Sequence, residues 1–207
     1  MSYDYEAFDA IPKNPADLPV VKGPEPARPG DDLDDYTMVE YAKKFAIWAH
    51  GDQRYGEQAY LAHLREVVEI LDEHGYDVHY FPLAVITGWL HDVGEDTHVL
   101  IGYIASQFGD RVAELVWACT GSGKNRKEKQ AAIKAKLLEE PEAQPPKAAD
   151  RLANMRSSLR EKKRGLVSMY SREFDDFMQS VPTVNASLQL ALRNAQALSL
   201  EYLKHHA

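Results

Sequence analysis

The chain of 207 residues has one cysteine, Cys119, so no disulfide can close within it. That scarcity fits a reducing compartment and removes the secreted disulfide scaffolds. No apolar run approaches the roughly 18 residues of a membrane span. The acidic N-terminal stretch lacks the apolar core of a signal peptide. Positive charge is also short: 24 basic against 32 acidic residues give a net charge of -8. A general nucleic-acid coat and a polybasic membrane binder are thereby excluded. No segment alternates apolar and polar residues as a half-buried strand does, and nothing repeats. What is left is a cytoplasmic protein, long enough for one domain with a real core and too short for two ordinary ones.

Proline is unevenly spread. Six of the eleven prolines lie between Pro12 and Pro29, and residues 1–40 carry ten acidic against three basic side chains. Such a stretch buries little apolar surface, so residues 1–35 read as an extended or disordered lead-in. It could strap onto the domain through Tyr3, Tyr5 and Phe8. Residues 36–207 read as a single domain. Thr37 and Glu40 have capping-box spacing, which predicts a helix from Met38 to His50. A polar loop runs to Gln58. Leu61, Leu64, Val68 and Leu71 then recur at helical spacing in a segment that stops at Gly75. Pro82 suits the first turn of a helix reaching about Asp92. Further helices are predicted at Thr97–Phe108 and Asp110–Thr120. A basic, glycine-rich turn from Gly121 to Arg126 leads into a polar helix ending near Glu139. A loop holding Pro141, Pro145 and Pro146 precedes a helix from Lys147 through Arg156, and two more follow at Leu166–Met178 and Asn185–His205. The fold class is all-α, a compact multi-helix bundle with an extended N-terminal tail.

Three places could carry chemistry: His63, the pair His91-Asp92, and Asp150. Taken singly, each has a plain structural explanation. His63 could be a half-buried histidine on an amphipathic face. Asp150 could sit in the first turn of its helix and favour the dipole. The pair is harder to dismiss, because it ends the apolar run Ala84 to Leu90. Burying an imidazole and a carboxylate is costly unless they are paired or ligated. Two imidazoles and two carboxylates suit a divalent metal of borderline hardness, such as manganese, iron or zinc. Bundles build such sites from separate helices.

The string HDVGEDT at 91–97 resembles the HDxxED signature of the HD-domain hydrolases of the RelA/SpoT type, which include the small alarmone hydrolases. GDQRYGEQAYLAHL (51–64) is similar to that family's GQxRKxGxPYxxHP block. FGDRVAELV (108–116) is similar to its FGxxVAxLV helix, and KAADRLANMRS (147–157) to its KLADRLHNMRT helix. The match runs in order from about Ala42 to Arg156. The resemblance implies a metal-dependent HD-domain bundle that removes the 3′-pyrophosphate of (p)ppGpp, giving GDP or GTP and pyrophosphate. It makes His63, His91, Asp92 and Asp150 the metal ligands, with Mn2+ the usual ion. It gives Glu95 and Asp96 the task of positioning or deprotonating the attacking water; the alternative is a solvated acidic loop that caps the next helix. Arg54 and Asn154 correspond to residues near the nucleotide, and SMYSREFDDF resembles a late pocket-lining helix of small alarmone hydrolases, in which Tyr170 could contact ribose or phosphate or serve as a core tyrosine. Lys147 and Arg151 are structural or phosphate-facing.

A polyphosphate needs cations, and two windows concentrate them. Residues 121–136 hold six basic side chains against Glu128, and residues 151–164 hold six against Glu161. Local positive walls attract anions even when the net charge is negative; each basic side chain could equally be part of a solvated helix face. Lys124 and Arg126, in the glycine-rich turn, are the best phosphate candidates.

The chain departs from the family in three places. Tyr55 replaces a lysine, so a ring that can stack on a purine replaces a charge, and adenosine alarmones enter as substrates beside guanosine ones. Gly94 is expected to loosen the loop carrying Glu95. Ala153 replaces a histidine beside the retained asparagine. There is no room for a synthetase domain, so a stand-alone hydrolase is expected. Its partner is a small-molecule nucleotide, neither nucleic acid nor membrane, and no oligomeric state is specified. The competing readings are a phosphatase acting on another nucleotide with a ribose phosphate, such as NADPH, and a nucleotide-binding or antitoxin-like module.

Overall fold

The computed structural model describes residues 18–30 and 33–206. Tyr3, Tyr5 and Phe8 therefore lie outside the described residues. Residues 18–30 form no helix or strand and lie along the domain. Val20 is bonded to Asp52, Glu25 to Tyr103, and Arg28 to Gln107.

Helix α1 (Asp35–His50) begins earlier than its capping-box spacing predicts. The Asp34 carboxylate accepts from the Thr37 amide at 2.7 Å, so Asp34 is the cap and Thr37 lies in the first turn. The predicted polar loop contains an antiparallel hairpin, β1 (Arg54–Tyr55) and β2 (Gln58–Ala59), with Arg54 opposite Ala59. Strands of 2 residues are too short to show alternation in a sequence. Helices α2 (Leu61–Glu73), α3 (Pro82–Leu90) and the short α4 (Val93–Asp96) follow. Helix α5 (Ile101–Phe108) starts later than Thr97: the Thr97 hydroxyl donates to the Val93 carbonyl at the start of α4 and accepts from the Val99 amide at 3.1 Å, which closes a separate turn ahead of the helix. Helix α6 is Asp110–Cys119, and α7 (Arg126–Glu139) is capped by Asn125.

The predicted proline-rich loop is mostly helix. After a 3-10 turn at Pro141–Ala143, α8 runs from Gln144 to Arg160 with Pro145 and Pro146 in its first turn. A proline there lacks only an N–H that the helix leaves unpaired anyway. Asp150 consequently lies beyond the first turn, and a simple dipole role does not account for it. Helices α9 (Arg164–Ser180) and α10 (Ala186–His205) complete the chain, the latter capped by Asn185.

Helix α3 is apolar all round, and every residue from Ala84 to Leu90 is buried. It lies inside a core made of two clusters. One joins Val67, Leu71, Leu115, Leu152, Met155 and Leu188; the other joins Phe45, Leu64, Leu90, Ile104, Phe108 and Val116. Helices α2 and α6 supply both. Each fully buried leucine or phenylalanine contributes about 1.5–3 kcal/mol, so α2, α3 and α8 are firmly placed where they meet. No helix among the described residues is long and apolar enough to cross a membrane.

Candidate metal centre and active site

The three core helices α2, α3 and α8 bring His63, His91, Asp92 and Asp150 to one point. One potential ligand atom from each lies within 4.8 Å of all the others. His63 and His91 are buried on α2 and at the end of α3. His63 Nε2 is 3.3 Å from Asp150 Oδ1, and His91 Nε2 is 2.9 Å from Asp92 Oδ2. Adjacent helical residues point about 100° apart. His91 and Asp92 converge because α3 ends at Leu90 and α4 starts at Val93, leaving them in the junction.

The chemistry of this donor set fits a divalent cation. His91 Nδ1 lies 2.8 Å from the Gly88 carbonyl, so it carries the proton of the neutral ring. Nε2 then presents a lone pair toward two carboxylates and is buried without a hydrogen-bond partner. Acceptors facing acceptors are stable only around a positive charge, which is either a metal ion or the proton that the ion would displace. Burial pushes His91 down, but Asp92 and Asp150 outweigh it and lift the ring to about 10. Burial raises both carboxylates, yet His91 and His63 hold Asp92 well below the usual range, and Lys147 and the histidines do the same for Asp150. Without an ion a proton on the imidazoles balances the two carboxylates; a bound cation would displace it and meet two neutral ring nitrogens and two carboxylates.

Above the cluster is a cavity of about 500 Å³. Asp92, Glu95, Asp96 and Asp150 form its acidic side; Lys124, Arg126, Lys129, Lys147 and Arg151 form its basic side. Asn154 and Tyr170 also line it. Asp96 accepts from Gln53 Nε2 at 3.2 Å, and burial with the charges of Asp92 and Glu95 lifts its carboxyl to about 6. Glu95 accepts from the Gly121 amide at 2.8 Å and from Lys129 at 2.6 Å. Arg126 makes a two-pronged pair with Glu173 at 2.7 and 2.8 Å. Arg126 and Arg151 both lie over the Tyr170 ring.

Arg54 and Tyr55 line a smaller adjoining cavity of about 110 Å³, which shares Asn154 and Tyr170 with the larger one. Arg54 donates to the Glu57 carbonyl. Tyr55 donates to Asn154 Oδ1 at 3.0 Å and stacks on the His63 ring with centroids 4.7 Å apart. Gly94 is not a loosening element. It is buried in α4, and a Cβ there would come within 2.4 Å of Ile101 Cδ1, so its smallness permits close packing.

Sequence reasoning missed Tyr60, whose hydroxyl lies 2.5 Å from Asp92 and 3.3 Å from Asp96. It also missed Gln53 and Glu173. Tyr60 stands in the quoted YLAHL string, three residues before His63, which is the only signal that could have found it.

An all-α bundle that gathers two histidines and two aspartates beneath a cation-walled cleft is a fold of defined type. The HD domain family profile matches residues 39–176, and the chain belongs to that family. Among curated relatives, a guanosine-3′,5′-bis(diphosphate) 3′-pyrophosphohydrolase of Aquifex aeolicus is 34% identical over 143 residues, covering 65% of this chain and 20% of that protein. A GTP pyrophosphokinase of Streptomyces coelicolor is 31% identical over 160 residues, covering 72% and 18%. The chain thus spans about a fifth of the length of the curated relatives it matches. A solved structure, reported as a metazoan ortholog of SpoT that hydrolyzes ppGpp and plays a role in starvation responses, superposes with a TM-score of 0.67 at 22% identity. It covers 78% of this chain and 94% of that one. That likeness establishes the shared fold.

Proposed function

We propose that this chain is a metal-dependent hydrolase that removes the 3′-pyrophosphate of guanosine alarmones, converting (p)ppGpp to GDP or GTP and pyrophosphate. The observation that carries the reading is the cluster of His63, His91, Asp92 and Asp150 at the floor of a cavity walled by lysine and arginine. The name of the Aquifex relative supports the same reaction. His63, His91, Asp92 and Asp150 would hold the ion, with Mn2+ as the proposed metal. Such an ion supplies Lewis acidity, acidifying water and offsetting phosphoryl charge.

The chain's own residues do the rest. Lys124, Arg126, Lys129 and Arg151 bind the phosphate oxygens and keep the pyrophosphate over the cluster. Glu95 and Asp96 orient a water molecule and take its proton. The water oxygen bonds to the phosphorus on the ribose 3′ oxygen, that P–O bond breaks, and the 3′ oxygen gains a proton. Tyr60 fixes Asp92 and Asp96 relative to each other. Asn154 and Tyr170 stand where the two cavities join, which suits the ribose, and the smaller cavity with Arg54 and Tyr55 suits the base.

The test is product analysis by chromatography after incubation with ppGpp and with ppApp, in manganese. Pyrophosphate with GDP is the expected product pair from ppGpp, and the ratio of the two rates measures base choice at Tyr55. Release of single phosphate, or no turnover of either compound by metal-loaded protein, overturns the reading.

A further inference from the structure

We infer that Asp52 is a positioning residue: it ties the N-terminal strap to the turn that sets Gln53 against Asp96. Its kinetic consequence rests on the hydrolase reading above. Val20 and Asp52 exchange two hydrogen bonds, Val20 N to Asp52 Oδ1 at 2.7 Å and Asp52 N to the Val20 carbonyl at 3.2 Å. The approach is close enough to dictate the neighbouring residue. Gly51 has φ +47, and a Cβ there would lie 2.2 Å from the Val20 oxygen. The strap carbonyl occupies the space that only glycine leaves open.

The strap does not rest on this contact alone. Tyr103 donates to Glu25 at 2.8 Å, and Arg28 donates to the Gln107 carbonyl at 2.9 Å, which fixes the next residues along α5. On the other side of the turn, Gln53 N donates to the His50 carbonyl at 2.8 Å, and the Gln53 carbonyl accepts from Tyr60 N at 3.0 Å. The Gln53 side chain accepts from His50 Nδ1 at 2.6 Å and donates to Asp96 at 3.2 Å. The path from strap to site is therefore Val20, Asp52, Gln53, Asp96. Asp52 lies in a turn and is exposed, outside any helix or sheet ladder. The bond to Asp96 is long, so a small rotation of the turn breaks it.

The experiment uses full-length, metal-loaded Asp52→Ala, Asp52→Asn, Gln53→Leu and the Asp52→Ala/Gln53→Leu double variant. Asp52 is exposed, so the Asp52→Ala and Asp52→Asn variants should melt close to wild type. Asp52→Ala should lower kcat roughly tenfold, with KM for ppGpp and metal affinity little changed, as expected for a displaced catalytic carboxylate. Asp52→Asn retains an acceptor oxygen and should restore most of the rate. The double variant should be no slower than Gln53→Leu alone, because both changes break the same path. Amide exchange across residues 51–60 should quicken in Asp52→Ala and not in Asp52→Asn. Additive losses in the double variant, or unchanged exchange in Asp52→Ala, overturn the inference. If wild type turns over no alarmone, the hydrolase reading fails, while the exchange comparison still decides the strap.

Discussion

Lys147 Nζ lies 2.8 Å from Asp150 Oδ2, one turn away on the same buried helix. The other carboxylate oxygen, Oδ1, faces the two histidines, 3.3 Å from His63 Nε2 and 3.7 Å from His91 Nε2. One turn further on, Asn154 Nδ2 donates to the same Oδ1 at 2.5 Å. Asp150 is thus held from both directions by its own helix. The sequence string that contains all three residues specifies the orientation of this carboxylate as well as its identity.

Lys147→Met should therefore weaken divalent-metal binding by roughly 10–100-fold, the range for losing a group that orients a ligand. Calorimetric titration of metal into stripped protein measures this. Unchanged affinity would mean that Asp150 is oriented without Lys147.

Asp92→Ala should abolish metal retention and turnover while leaving the helical circular dichroism largely intact, since Asp92 lies between helices. Glu95→Gln should keep the metal and lose about 10²–10⁴-fold in turnover, as expected when a proton-handling group goes. Metal content by mass spectrometry separates the two effects. Near-normal turnover in metal-loaded Glu95→Gln would leave Asp96 as the carboxylate that handles the water.

Gly94→Ala should cost about 1–3 kcal/mol of stability, because the added methyl overlaps Ile101, which is fully buried and has little room to move. Ile101→Val, which removes the overlapping Cδ1, should recover part of the loss. Urea unfolding of the single and double variants tests this. A neutral Gly94→Ala would show that α4 shifts freely.

Lys136 gives a pH signature separate from the metal site. Its ammonium donates to the Trp117 carbonyl at 2.7 Å and to the Thr120 carbonyl at the end of α6. Burial pushes it down to about 8. An unfolded lysine titrates near 10.4, so between those values the unfolded chain binds more protons. This group's contribution to stability therefore rises with pH from about 8 to about 10.4 and is lost as pH falls back through that window. The stability difference between wild type and Lys136→Met, followed from pH 7 to 10.5, should rise with pH. A flat difference would contradict it.

Much of the candidate site was legible because its clustered histidines and aspartates lie inside short strings with fixed spacing. His63, His91, Asp92 and Asp150 converge as those strings imply. The helices were legible through apolar spacing, and their limits less so. Pro145 and Pro146 resemble a loop until the register of α8 is known, and Thr37 resembles a cap until Asp34 is seen accepting its amide. Gln53 and Glu173 act through contacts between elements distant in sequence, and Tyr60, although it stands three residues before His63, reaches Asp92 and Asp96 by bonds that its string does not reveal. Gly94 was misread because a glycine's flexibility is visible in sequence, whereas the approach of Ile101 is not.

The most direct test strips the protein with a chelator, assays pyrophosphate release from ppGpp, and then restores manganese in measured amounts. Stripped protein should release none, and release should recover in step with one bound ion per chain. His91→Ala should show no recovery. Hydrolysis that continues undiminished after stripping, or loaded wild type that releases no pyrophosphate, would contradict metal-dependent hydrolysis.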